Sequence, residues 1–239
     1  MSFKALLLDI EGTVCPIAFV KDVLFPFFSS KVSVLLQSND PEVKRLLAQF
    51  PAQDNLQEYI QDLVARDVKD PILKQLQGHV WAQGYYNGEI KAPVYKDAIE
   101  LIKRKPEVYI YSSGSVKAQK LLFGHVEDPS STKSIDLQPF IKSFFDINTS
   151  GKKTEPESYQ KILQNIGKQP DDVLFISDNI LELDAASQVG LETILAVRPG
   201  NPPVTDIKNY TILEDYSTLW MVLTCIHTLA GSLISKLVK

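Results

Sequence analysis

Only two cysteines, Cys15 and Cys225, occur in the 239 residues, far apart and with no paired spacing. This excludes a disulfide-framed domain and a thiolate zinc site, and fits a reducing compartment. No block of like charges stands out, and a net charge of −4 lacks the concentrated basic surface that a nucleic-acid partner demands. No clean apolar run reaches the ~20 residues of a membrane span. The most apolar stretch, WMVLTCIHTLAGSLISKLVK, is interrupted by Thr224, His227, Thr228, Ser232, Ser235 and Lys236. Nor does MSFKALLLDIEGT show the apolar core and small-residue cleavage site of a signal peptide, because acids arrive too early. Without a secretion signal, the triplets at Asn148 and Asn209 carry no weight as glycosylation sites. No internal repeat or low-complexity segment is visible.

What is present is an ordinary globular composition, 44% hydrophobic and 23% charged, long enough for one large core with a smaller insert. The first strand is expected over Phe3 to Leu8. From about Phe19 to Glu89 the texture is helix after helix, with Pro26 as a kink or break. DPEVKRLLAQF and DPILKQLQGHVWAQGYY both open on Asp-Pro, a helix cap followed by proline at the first helical position. After residue 90 short β-rich runs alternate with helices: VYIYS, an apolar run at Phe144 to Ile147, VLFIS and TILAV. Strands separated by helices specify a parallel sheet covered on both faces. The expected class is α/β, a doubly wound parallel sheet with an inserted helical cap domain. The core is expected at 1–17 plus 90–239 and the cap at 18–89. Leu219, Leu223, Ile226, Ala230, Leu233 and Leu237 predict an amphipathic C-terminal helix over 219–239.

In an open parallel sheet, ligands gather beyond the carboxyl ends of the strands. The residues just past the predicted strands are Asp9, Ser112-Ser113-Gly114-Ser115, the loop SGKKTEP and Ser177-Asp178. Asp9 and Asp178 would lie close at such an edge, with Glu11 and Glu182 nearby, and that many carboxylates stay ionised only beside a cation. Hard oxygen ligands favour Mg²⁺, which takes one or two carboxylates plus water and phosphate. Ser112, the amides around Ser113 and Gly114, and a lysine offer donors to a phosphate. Together they suit phosphoryl transfer through a carboxylate. Ser115 reads as a helix cap, Cys15 as a buried small residue, and SSGSV lacks the glycines of a nucleophile elbow.

Those residues carry a resemblance. Asp9-Ile10-Glu11-Gly12-Thr13 resembles the first motif of the haloacid dehalogenase superfamily of phosphatases, with Glu for its second Asp. Ser112 closing VYIYS resembles the second motif. In Lys153-Thr154-Glu155-Pro156-Glu157-Ser158-Tyr159 the lysine with proline three and tyrosine six residues later resembles the third, selecting Lys153 over Lys152. VLFISDNILE, with Asp178 and Glu182, resembles the fourth. LLLDIEGT, PIAFVKDVLFP, LKQLQGHVWAQGY, YIYSSGSVKAQKLLFGH and AVRPGN are further similar to the enolase-phosphatase family of methionine salvage, up to about Leu219.

The resemblance implies a Mg²⁺-dependent enzyme that enolises and then dephosphorylates a phosphorylated diketone, 2,3-diketo-5-methylthiopentyl-1-phosphate. It implies Asp9 as nucleophile, Glu11 as general acid and base, and Ser112, Ser113 and Lys153 as phosphate-binding groups. Asp9, Glu11 and Asp178 are implied to hold the metal, Glu11 through either its backbone or its side chain. A cytoplasmic and additionally nuclear monomer, without nucleic-acid or membrane partners, is expected. In the cap, Gln77, His79, Trp81 and Tyr85 are candidates for substrate selection, although an aromatic pair four residues apart is more often core. The rival readings are a general small-molecule phosphomonoesterase, a metal-free dehalogenase and a non-catalytic interaction protein.

Overall fold

A computed structural model describes residues 3–104, 107–204 and 210–219. The strands are β1 (Ala5–Leu8), β2 (Val108–Tyr111), β3 (Val126–Glu127), β4 (Ser134–Ile135), β5 (Ile141–Phe145), β6 (Val173–Ser177), β7 (Glu192–Ala196) and β8 (Thr211–Leu213). The helices are α1 (Phe25–Leu35), α2 (Pro41–Leu47), α3 (Leu56–Ala65), α4 (Pro71–Tyr86), α5 (Lys96–Arg104), α6 (Val116–Gly124), α7 (Pro156–Ile166) and α8 (Ile180–Ser187). Six strands form one sheet in the order β5-β2-β1-β6-β7-β8, every neighbouring pair parallel. β1, β2 and β6 lie in its middle and are buried at every residue, so they read as continuous apolar runs rather than alternating ones.

Successive side chains of those strands serve opposite faces of the sheet. Leu6, Leu8, Val108, Ile110, Leu174 and Ile176 pack with α5 and α6. Ala5, Leu7, Tyr109, Tyr111, Val173 and Phe175 pack with α7 and α8. The sheet is therefore wound on both sides, the α/β class that the alternation predicts.

Between β1 and α5 the chain builds α1 to α4 around a cluster of their own that includes Phe28, Val32, Leu46, Ile60, Leu76 and Val80. Asp40 caps α2, accepting from the N–H groups of Glu42 and Val43 at 2.8 and 3.1 Å, and Asp70 caps α4 likewise through Ile72 and Leu73. Both are followed by proline at the position where no amide donor is needed. Pro26 does not break its helix. A π-helical turn, Val20–Leu24, runs directly into α1, and the proline falls where the bonding pattern changes. The helical segment returns to the sheet through Ile90 to Tyr95, and the Tyr95 N–H donates to the Val14 carbonyl at 3.0 Å.

Three expectations need correction. The strand placed at Phe144 to Ile147 lies at Ile141–Phe145, and Ile147 is 42% exposed in the following loop. The β3–β4 hairpin and the edge strand β8 carry no signal of their own in the sequence. His79 pairs with Gln83 on the exposed side of α4, away from the cavity described below. The predicted C-terminal helix, apart from Leu219, falls outside the described residues, as do Cys225 and His227. Among the described residues no helix is long and apolar enough to cross a membrane.

Candidate active site

Asp9 is the first residue past β1, and its N–H still donates to the Ile176 carbonyl of β6 at 3.0 Å. The chain then turns tightly. The Ile10 carbonyl accepts from the N–H groups of Thr13, Val14 and Cys15 at 3.1, 2.9 and 3.0 Å. Gly12 makes this turn possible for two reasons. Its φ of +72° lies in the left-handed region, and a Cβ there would stand 2.2 Å from Asp178 Oδ2. Only glycine lets the first loop approach the fourth this closely.

Thr13 ties the two strand ends together. Its hydroxyl donates to Asp9 Oδ2 at 3.4 Å and accepts from the Asp178 N–H at 3.1 Å. Lys153 arrives from the loop before α7 and is buried. Its ammonium holds Asp9 Oδ1 on one side and Glu182 Oε2, at 2.6 Å, on the other. The spacing to Tyr159 now has a physical cause: the tyrosine hydroxyl donates to the Lys153 carbonyl at 2.7 Å, fixing the backbone that delivers the ammonium. Lys152 instead points to solvent, 3.4 Å from Glu155. Glu182 accepts a further bond from Ser177 Oγ at 2.8 Å.

Ser112, at the end of β2, is buried, and its hydroxyl donates to Glu11 Oε2 at 3.3 Å while accepting from the Gly114 N–H at 3.2 Å. The side chain of Glu11 is thus turned toward the second loop. Ser113 is exposed and lines the same cavity. Ser115 caps α6, accepting from the Ala118 N–H at 3.3 Å, as its position predicts. The cavity, about 500 Å³, opens over Glu11 and Ser112 and is walled from above by side chains of α3 and α4, among them Leu63, Leu73, Gln77 and Trp81.

Four acids, Asp9, Glu11, Asp178 and Glu182, share this edge with one cation, Lys153. Burial, and then the charge of Asp9, push the Glu11 carboxyl above its ordinary range. Burial, followed by the charges of Asp9 and Glu182, raises Asp178 to about 7. Glu182 is raised by burial and by Asp9 against the pull of Lys153. Burial alone would lower the pKa of Lys153, but Asp9 and Glu182 outweigh it and hold the ammonium charged.

The donor set fits a hard cation. Asp9 and Asp178 present carboxylate oxygens, and Asn201 Oδ1, buried and without a partner, would lie 3.1 Å from the same Gly12 Cβ position as Asp178. Among the described residues no three His, Cys, Asp or Glu side chains gather into a ready cage. A cation would accordingly rest on two carboxylates, main-chain oxygen and water or phosphate, the ligand habit of Mg²⁺.

Four residues outside the predicted site support it. Asp146, past β5, accepts from the N–H groups of Val116, Asn148 and Thr149 at 3.0, 2.9 and 2.8 Å and so pins α6 to the site edge. Asn201 Nδ2 donates to the Gly12 carbonyl at 2.8 Å. Tyr216 donates to the Thr13 carbonyl at 3.0 Å, and Arg198 makes two 2.7 Å contacts with Asp97, which also accepts from the Tyr216 N–H. Asp146, Arg198 and Asn201 follow strands and are open to the strand-exit rule, the last two within AVRPGN; Tyr216 follows β8, which carries no signal of its own.

An aspartate at a strand end, a serine, a buried lysine and a second acid on four loops of one parallel sheet form a site suited to phosphate chemistry. Residues 3–190 match the haloacid dehalogenase-like hydrolase family, and the chain belongs to it. Within it, the chain belongs with the enolase-phosphatases. It is 60% identical over 226 residues to enolase-phosphatase E1 of Zygosaccharomyces rouxii, covering 92% of this chain and all of that one. It is 58% identical to the enolase-phosphatase E1 of a Saccharomyces cerevisiae strain, over 91% and 99% of the two chains. The crystal structure of the UTR4 protein of Saccharomyces cerevisiae superposes with a TM-score of 0.84 at 58% identity, over 91% of this chain and all of that one.

Proposed function

We propose that the enzyme converts 2,3-diketo-5-methylthiopentyl-1-phosphate into the enediol acireductone and phosphate. The reading rests above all on Glu11, an acid of raised pKa that touches Ser112 and faces the cavity. An acid so placed can serve both halves of the reaction, proton removal beside a carbonyl and proton delivery to a leaving oxygen. The apolar wall above it suits a thioether chain.

In the phosphatase half, a carboxylate oxygen of Asp9 attacks phosphorus as the bond to the ester oxygen breaks, and Glu11 gives that oxygen its proton. Water then attacks the aspartyl-phosphate, losing a proton to Glu11 and freeing Asp9. Lys153, Ser112 and the amides that follow it hold the phosphoryl oxygens; Ser113 contributes its backbone. Asp9, Asp178 and the main-chain oxygen of Glu11 would hold Mg²⁺, which when bound neutralises charge on the phosphoryl group and on Asp9. We place the cap at residues 18–89 and the catalytic core at 1–17 and 90–239. The enzyme works as a cytoplasmic and nuclear monomer on a small-molecule substrate.

The test is an assay of purified protein on the diketo phosphate, with and without Mg²⁺, following enol absorbance and phosphate release separately. Both signals should appear with Mg²⁺. Phosphate released without any enol would favour a general phosphomonoesterase instead.

A further inference from the structure

The cap helix α4 presents Gln77, Trp81 and Tyr85 along one side, and the two aromatics do different work. The Trp81 indole N–H is spent on the fold, donating to the Leu24 carbonyl at 2.9 Å, and its ring stacks on Phe25. Tyr85 is set more deeply than the half-buried Trp81, 3% exposed, with its ring tilted against His125. Its hydroxyl, however, has no hydrogen-bond partner among the described residues. It differs from the hydroxyl of Tyr95, which is unpartnered and sealed; Tyr85 lies on the cavity wall together with Glu11 and Ser112.

The Tyr85 hydroxyl is not among the sealed, unpartnered atoms, so it is open to the cavity, where a bound molecule can reach it. The surroundings also keep this hydroxyl a donor. Burial, then Cys15, then Glu11 raise the phenol's pKa, so it stays protonated. Cys15 is itself a neutral, buried thiol and a weak acceptor.

We propose that Tyr85 is a further catalytic residue, whose hydroxyl donates a hydrogen bond to the carbonyl oxygen next to the phosphate-bearing carbon during enolisation. The proposal rests on the enolase-phosphatase reading and assigns one step within it. A proton leaves the phosphate-bearing carbon for the Glu11 carboxylate, and the C–H electron pair becomes the new C=C bond. The carbonyl π pair moves onto oxygen, where Tyr85 stabilises it. Glu11 then returns its proton to that oxygen, so diketone and enol are isomers and nothing else is consumed. A donor aimed at developing oxyanion charge acts on the barrier rather than on binding.

Tyr85→Phe keeps the ring that packs on His125 and removes only the hydroxyl. With Mg²⁺ present, enol formation from the diketo phosphate should fall ~10²–10³-fold, the usual loss for one oxyanion donor. Hydrolysis of p-nitrophenyl phosphate, a monoester without a carbonyl, should hold kcat/KM to within about twofold, and the thermal midpoint should not drop. Equal losses in both reactions, or an unchanged enolisation rate, would overturn the assignment, as would a rise in KM with kcat intact. A wild-type enzyme that gives no enol from the diketone would instead overturn the reading on which the assignment rests.

Discussion

Lys153 and Glu182 meet at 2.6 Å inside the protein, and the same ammonium grips Asp9 on its other side. This buried ammonium is thus shared between the candidate nucleophile and an acid from the next loop. Under the proposed function a phosphoryl group arriving here would compete with Glu182 for the ammonium, and Glu182 would serve to hold Lys153 in place.

Replacing Lys153 with Met should leave Asp9 and Glu182 buried and unpaired, a loss of ~3–5 kcal/mol of stability. Single-turnover phosphate release should fall ~10²–10³-fold. Chemical denaturation and rapid-quench measurements read the two effects separately.

Gly12→Ala places a methyl group 2.2 Å from Asp178 Oδ2 at a φ of +72°. The left-handed conformation alone costs ~1–2 kcal/mol, and the carboxylate must move. We expect a folded but weakly active enzyme whose apparent affinity for Mg²⁺ drops more than its affinity for inorganic phosphate, measured by titration calorimetry.

Mg²⁺ at 100 times its dissociation constant should stabilise the protein by ~2.7 kcal/mol, raising the thermal midpoint by ~2–4 °C per kcal/mol for a chain of this size. Asp178→Asn should abolish that shift. Retention of the full shift would place the cation elsewhere.

Glu11→Asp shortens the acid by one methylene beside Ser112. Enol formation should then suffer more than hydrolysis of a simple phosphate ester, because proton removal from carbon needs the longer reach. Equal losses in the two assays would count against a role for Glu11 in enolisation.

Asp97 supplies the pH test. Although partial burial works to raise its pKa, the bonds from Arg198 and the Tyr216 N–H hold the carboxyl below its ordinary value. A depressed folded pKa gives stability that is present above the unfolded value of ~3.9 and is lost as pH falls through the folded one. Asp97→Asn should therefore destabilise the protein at pH 7 and converge on wild type once the pH falls below the depressed folded value. Asp178, raised to about 7, acts in the opposite sense, favouring the metal-free fold as pH falls from 7 toward ~4. Denaturant melts across pH 3–8 distinguish the two.

The parts of the fold that were legible are those whose burial leaves no choice. β1, β2 and β6 are covered on both faces and so appear as plain apolar runs. β5 was misplaced because an edge strand tolerates Lys142 and Ser143, which draws attention to the more apolar Phe144–Ile147. β8 exists because β7 offers it an edge, and three residues, two half-buried and Leu213 buried, carry no pattern of their own. The same division holds within the site. Lys153, Pro156 and Tyr159 fall within seven residues, and their spacing encodes a helix start plus a carbonyl anchor. Asp97, Arg198 and Tyr216 are joined across 101 and 119 positions, and nothing local marks them as companions of Thr13.

The helical block is tied to the sheet at the loop that carries Glu11, where the Tyr95 N–H reaches the Val14 carbonyl. Both chain crossings therefore meet at a fulcrum beside the acid, while α4 alone extends ~24 Å from it. A rotation of a few degrees about that point would sweep the far helices by ~2 Å over such an arm and leave Glu11 almost still. On that geometry, substitutions in α2 or α3 should reshape what the cavity admits while leaving Glu11 in place.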